Sequence, residues 1–200
     1  MTDAERGARV APGRAPLVRG FAGLAGRVTG TEPPGVFLTL GRNQRLFWTW
    51  LAFAGSMMPG GKLTRRETEA VILRVAALAQ SEYEWAQHAR LGRRAGLSAG
   101  QVDELATGPR DGRWSTAEQW SRRDQVLLTA AEELLATEDL SDAGWQALRA
   151  EFDEPRCVEI VLLVGHYRML ATALRALRVP VDRARPGAAG AGDASSAVAP

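Results

Sequence analysis

From about residue 42 to residue 180 the apolar residues recur at helical spacing, and strand-like alternation is nearly absent. A chain patterned in this way can bury its apolar stripes only by laying helix on helix, which predicts an all-α domain. A first helix is expected over 42–58, with Leu46, Phe47, Trp50, Leu51 and Ala54 on one face and Pro59-Gly60-Gly61 at its end. Thr64-x-x-Glu67 reads as a capping box that opens a second helix, strongly apolar through Val71, Ile72, Val75, Ala76 and Leu78. Ser81-x-x-Glu84 reads as another box, opening a helix that stops at Gly96, and Ser98-x-x-Gln101 opens a third. Further helices are expected from about Ala117 or Ser121 to Ala136, from Ser141 to near Phe152, and from Pro155 to before Pro180. The last carries Val158, Ile160, Val161, Leu163, Val164 and Leu170 and should bury almost all round, against neighbours in the chain or a second subunit.

The ends read differently. Residues 1–33 mix Gly, Ala, Arg and Pro without a period and are expected to form a loosely ordered arm, with Pro33-Pro34 marking the start of the helical domain at 34–182. Residues 183–200 hold little that could be buried to offset ordering entropy and are expected to be disordered.

Composition narrows the function classes. The chain has 200 residues, 46% hydrophobic and 24% charged, which suits one domain with a sizeable core. Its sequence pI is about 9.2, yet the arginines are dispersed among acids and form no stripe that would follow a phosphate backbone, so nucleic acid is not an expected partner. Cys157 is the sole cysteine, which excludes an internal disulfide and suits a reducing cytoplasm. The first residues lack the apolar core of a signal peptide, and no uninterrupted apolar run reaches the roughly 18 to 20 residues that cross a bilayer, so no membrane partner is expected.

Chemistry concentrates between Arg65 and Gly96. Offsets of three and four residues place Ser81, Glu84 and His88 on one face of one helix, and Glu69 lies about three turns earlier on the preceding helix. A carboxylate beside an imidazole fixes the tautomer of the ring, as a general acid or base requires. The plainer reading has Glu84 and His88 as an i,i+4 pair and Ser81 and Glu84 as a helix cap. Tyr83 could donate a hydroxyl, Arg65 or Arg66 could anchor an acidic group, and Trp85 or Trp48 could wall a pocket, although arginines are mostly solvated and large aromatics mostly core. His166 and Tyr167, on the last helix, could enter the same place from another side. Two histidines on different helices, without a cysteine cluster, give no metal-ligand spacing.

The run from Leu63 through Glu69 to Ala77, then Ser81-Glu-Tyr-Glu-Trp-Ala-Gln-His88, then Ala95-Gly-Leu-Ser98, resembles the core signature of the carboxymuconolactone decarboxylase/AhpD-like superfamily over about 36–179. In the peroxidase branch of that superfamily the signature is a glutamate, a CxxC pair and a histidine, and those places fall here on Glu69, Ser81, Glu84 and His88. The resemblance is to a branch without that cysteine pair. Peroxide reduction of the CxxC type needs a thiolate and a resolving thiol, which serine and glutamate cannot supply and the isolated Cys157 cannot replace.

The resemblance implies a small-molecule enzyme that needs neither metal nor organic cofactor. His88 would act as acid and base, oriented by Glu69 or Glu84, on a small carbonyl, lactone or carboxylate substrate, with Ser81, Tyr83, Arg65 and Trp85 around it. It also implies a homo-oligomer, a trimer or hexamer. The competing reading is a helical binding or assembly module of the same fold, in which Glu69, Glu84 and His88 are a fully paired structural network.

Overall fold

The structure, a computed structural model, describes residues 7–109, 114 and 119–185. Among these the chain forms nine helices and no strand. The described residues divide into two compact units, one of residues 7–48 with 178–185 and one drawn from residues 49–177.

The first unit holds α1 (Pro16–Thr29), α2 (Gly35–Leu40) and the beginning of α3 (Gln44–Met57). The stretch expected to be a loose arm therefore carries a helix of 14 residues. No side chain caps α1, and its order comes from burial of Val18, Ala22 and Gly26 at i, i+4 and i+8. Gly26 has no substitute, because a Cβ there would stand 2.9 Å from the Thr31 carbonyl oxygen and 2.7 Å from that of Glu32. Phe21 meets Phe37 and Phe47 edge to face at 5.1 and 6.0 Å. The start of the expected disordered tail is also paired: Glu32 N–H donates to the Arg183 carbonyl, Arg185 N–H to that of Gly30, and Thr31 bridges Ala184. The remainder of that tail, 186–200, lies outside the described residues.

The second unit is built round α4 (Arg65–Leu78), against which α5 (Glu82–Arg94), α6 (Ala99–Thr107), α7 (Arg122–Thr137) and α9 (Glu154–Leu177) all pack, while α8 (Asp142–Glu151) lies on α7 and α9. Residues Glu67 to Ala76 of α4 are all buried, as expected of a central helix. Thr64, Ser98 and Ser121 close capping boxes with Glu67, Gln101 and Asp124, and Ser141 caps α8 alone. The turn from α4 into α5 passes through Gln80 in the left-handed region, φ 53°. Arg175 of α9 donates to the Ala79 and Gln80 carbonyls, tying that turn to the last helix.

Two helices are less enclosed than their composition implies. In α3 Leu46 and Phe53 are exposed and Trp50 is only partly buried. In α9 one face is buried through Cys157, Ile160, Leu163, Val164, His166, Tyr167 and Leu170, but Val158, Val161, Leu162 and Met169 face outward. The helix is also long and apolar enough, by length and composition, to cross a bilayer, which its interrupted apolar run did not suggest. Half of that stretch is buried.

Candidate functional site

Glu69 sits in the middle of α4 with 0% exposure, a costly place for a carboxylate unless both oxygens are engaged. Arg65, one turn earlier, ion-pairs a guanidinium nitrogen with Oε1 at 2.6 Å, a contact without hydrogen-bond alignment, and His88 Nδ1 lies 2.7 Å from Oε2. An ionised Glu69 accepts from Nδ1–H, which leaves Nε2 of the neutral ring as the acceptor. Nε2 makes no hydrogen bond to any described residue, so it is available to a reacting group.

Close approach of α5 to α4 makes that contact possible. One turn beyond His88, a Cβ on Gly92 would lie 2.9 Å from Leu97 Cδ1, 3.1 Å from Leu73 Cδ1 and 3.7 Å from Glu69 Cβ. Glycine at this position lets the two helices meet at the level of the ion pair.

Glu84 behaves unlike the other acids that begin helices. Ser81 is the N-cap residue of α5, but its side chain makes no capping bond, so the expected Ser81-x-x-Glu84 box does not form. The Glu84 side chain turns inward instead, 2% exposed, with both oxygens buried and without hydrogen-bond partners. Burial pushes its carboxyl up to about 7, against a small opposing pull from the Ser81 hydroxyl, which falls short of a well-aligned bond. Near neutral pH this group is substantially a carboxylic acid.

From α9, Tyr167 places its ring edge-on to His88, centroids 5.2 Å apart at 88°. Its hydroxyl is held well above the ordinary tyrosine range by burial and then by the charges of Glu69 and Glu84, with Arg65 opposing. His166 beside it stacks on Trp50 at 6.0 Å and meets Phe53 edge-on at 5.5 Å. Burial lowers its imidazole to about 4, and its Nδ1 is buried without a partner.

The sequence candidates thus separate. Arg65, Glu69, Glu84 and His88 come together, and Ser81 and Tyr83 are buried at the start of the same helix. Trp85 does not join them: it packs on the apolar cluster of Leu73, Leu97, Leu105, Trp114 and Trp120. Arg66 is engaged by Asp124 at 2.8 Å and lies over the Trp120 ring. Trp48 packs on Phe47 and Phe21 in the other unit. Tyr167 was legible only as a neighbour of His166, because 79 residues of chain separate it from His88 and no local spacing links them. Among the described residues no three His, Cys, Asp or Glu side chains converge as metal ligands.

A family model described as the carboxymuconolactone decarboxylase family matches residues 44–123. Among solved structures, an AhpD-core, peroxidase-related protein of Ralstonia eutropha JMP134 superposes with TM-score 0.73 at 19% identity, over 87% of this chain and 92% of that one. A peroxidase-related protein of Silicibacter sp. TM1040 gives TM-score 0.72 at 17% identity, over 88% and 92%. A debrominase in complex with 2,3,4-tribromopyrrole gives TM-score 0.73 at 14% identity, over 91% and 96%. No curated protein matches the chain. The chain has the AhpD-like helical fold.

Proposed function

We propose that this chain is a carboxymuconolactone decarboxylase-like enzyme that performs acid–base chemistry on a small carbonyl, lactone or carboxylate-bearing molecule without a metal or organic cofactor. The observation that carries the reading is the Arg65–Glu69–His88 series, which runs from an exposed arginine to a buried carboxylate and imidazole, with 2.6 and 2.7 Å contacts that fix one imidazole nitrogen and leave the other free. Glu69 orients the ring and stabilises its protonated form, and His88 Nε2 takes and returns the proton. Glu84, an acid near neutral pH, supplies a second donor on the same helix face.

The peroxidase-related neighbours do not carry their name to this chain. Its one thiol, Cys157, is buried in α9, and a CxxC peroxidase cycle must close a disulfide between two thiols. A purely structural network is the competing reading, and Glu84 weighs against it. Buried polar groups that serve stability are almost always paired, and both Glu84 oxygens are without partners. The outward apolar faces of α3 and α9 support the further proposal that the enzyme works as a homo-oligomer, and its single buried cysteine suits the cytoplasm.

Turnover of a panel of small lactones and keto acids by the wild-type chain and by His88→Gln and Glu69→Gln tests the assignment. Loss of the base should lower kcat by about 10²–10⁴-fold with the helical fold intact. Full turnover by His88→Gln would sink it.

A further inference from the structure

Three groups lie round the His88 ring. Glu69 holds Nδ1 through Oε2 and is ion-paired with Arg65 through Oε1. Glu84 has neither oxygen engaged although it is 98% buried, one helical turn from His88 on the same face of α5. Tyr167 reaches the imidazole from α9, and its hydroxyl makes no hydrogen bond to any described residue. Burying the Glu84 carboxyl unsatisfied costs about 1–3 kcal/mol. That cost is recovered when a ligand oxygen accepts from it, with the Tyr167 hydroxyl as a second donor.

We infer that Tyr167 and Glu84 are the two hydrogen-bond donors of an oxyanion site beside His88, and that the substrate is an enolisable carbonyl compound whose oxygen takes up charge during proton transfer. This rests on the acid–base reading of His88 and names its substrate class. In the step, His88 Nε2 forms a bond to the proton on the carbon next to the carbonyl. The C–H electron pair becomes the new C=C bond, and the carbonyl π pair moves to oxygen, giving an enolate. Tyr167 O–H and Glu84 O–H donate to that oxygen without transferring their protons, and the imidazolium, paired with Glu69, then returns its proton to the carbon skeleton. Donors fixed before the charge develops need no reorganisation, which is why such sites contribute strongly to rate.

Both donors meet the electrical requirement. A tyrosine between two acids keeps its proton, and a carboxyl at about 7 keeps a substantial share of its own at neutral pH. The remaining neighbours do not compete for the role. His166 is neutral and turned toward Trp50 and Phe53, and Arg65 is held by Glu69.

The test uses 4-nitrophenol, whose anion resembles a planar enolate oxygen and whose visible absorption distinguishes anion from acid. Titrated into the wild-type protein at pH 7, it should bind with its anionic fraction raised above that in buffer. Tyr167→Phe and Glu84→Leu should each weaken binding about tenfold, the worth of roughly one hydrogen bond to a charged group. Glu84→Gln, which keeps an N–H donor, should stay within about threefold of the wild type. No rise in the anionic fraction, or equal binding by Tyr167→Phe and Glu84→Leu with helicity retained, overturns the inference. The acid–base reading fails separately, through His88→Gln turnover, since phenol binding does not require a proton acceptor. With a substrate in hand, Tyr167→Phe should lower kcat by about 10²–10³-fold and leave KM nearly unchanged.

Discussion

The first turns of α4 and α5 are written in nearly the same letters and do opposite things. At α4, Thr64 and Glu67 close a box: Glu67 Oε2 accepts from the Thr64 N–H at 2.8 Å and hydroxyl at 2.9 Å, and Oε1 accepts from Arg123 at 2.6 Å. Burial alone would raise this carboxyl, but Arg123 and the Thr64 backbone and hydroxyl outweigh it and hold the group below its usual range. At α5, Ser81 and Glu84 offer the same pairing and leave it open, and Glu84 rises to about 7. One glutamate is committed to stability. The other is withheld from its cap, which forgoes about 1 kcal/mol of helix stability, and faces the imidazole.

The widest gap between the two ends should appear in turnover. Glu84→Leu should lower kcat by about 10²–10³-fold, whereas Glu67→Ala should leave it almost unchanged once correction is made for folded fraction. Equal loss in both variants would erase the distinction. Next in size is the response to pH, read from chemical denaturation. Glu84, raised from 4.5 to about 7, binds its proton in the folded state where the unfolded chain has lost it, so its contribution falls as pH rises through that window, by about 3 kcal/mol. His166, lowered from 6.5 to about 4, does the reverse: the unfolded chain binds the extra proton, so stability falls by about 3 kcal/mol as pH drops through that window. From 4.5 to 6.5 the two slopes offset and the wild type should be nearly flat. Glu84→Gln should expose a rise with pH and His166→Phe a fall. Parallel curves for all three proteins would show that neither group is shifted as described.

Smaller effects separate the two ends in stability itself. Glu67→Ala removes partners from Thr64 and Arg123 and should cost about 2 kcal/mol, with part of the loss already present in the wild type at acid pH, where Glu67 takes up its proton. Glu84→Leu should be neutral or stabilising, since it removes an unpaired buried carboxyl. Least of all, Ser81→Ala should change the unfolding free energy by only a few tenths of a kcal/mol, against about 1 kcal/mol for Ser98→Ala, whose cap is made.

The same contrast explains what could be read along the chain. Thr64 and Ser98 start helices as their spacing predicts, because a cap is decided by residues three apart. Ser81 with Glu84 satisfies that local rule, but the face of α5 next to α4 and α9 is buried, and the Glu84 side chain goes with it. The meeting of Glu69 with His88 was legible as a possibility of reach, since adjoining helices must lie side by side. Tyr167 was legible only as one of two last-helix residues that could enter from another side, because its place depends on how α9 returns to α4. The α1 helix escaped notice for a related reason: its glycines and uncapped start carry no local signal, and its order comes from what Val18, Ala22 and Gly26 touch.

The carboxylate and the imidazole it holds ride on separate helices, which come close at Gly92. The hydrogen bond that orients the imidazole is therefore a gauge of interhelical spacing. A methyl added at that glycine would press on the ends of Leu97 and Leu73, and any part of the strain they do not absorb would ease α5 outward and turn the ring without altering a reacting residue. Alignment of the base at the centre of this fold is in that sense a mechanical quantity.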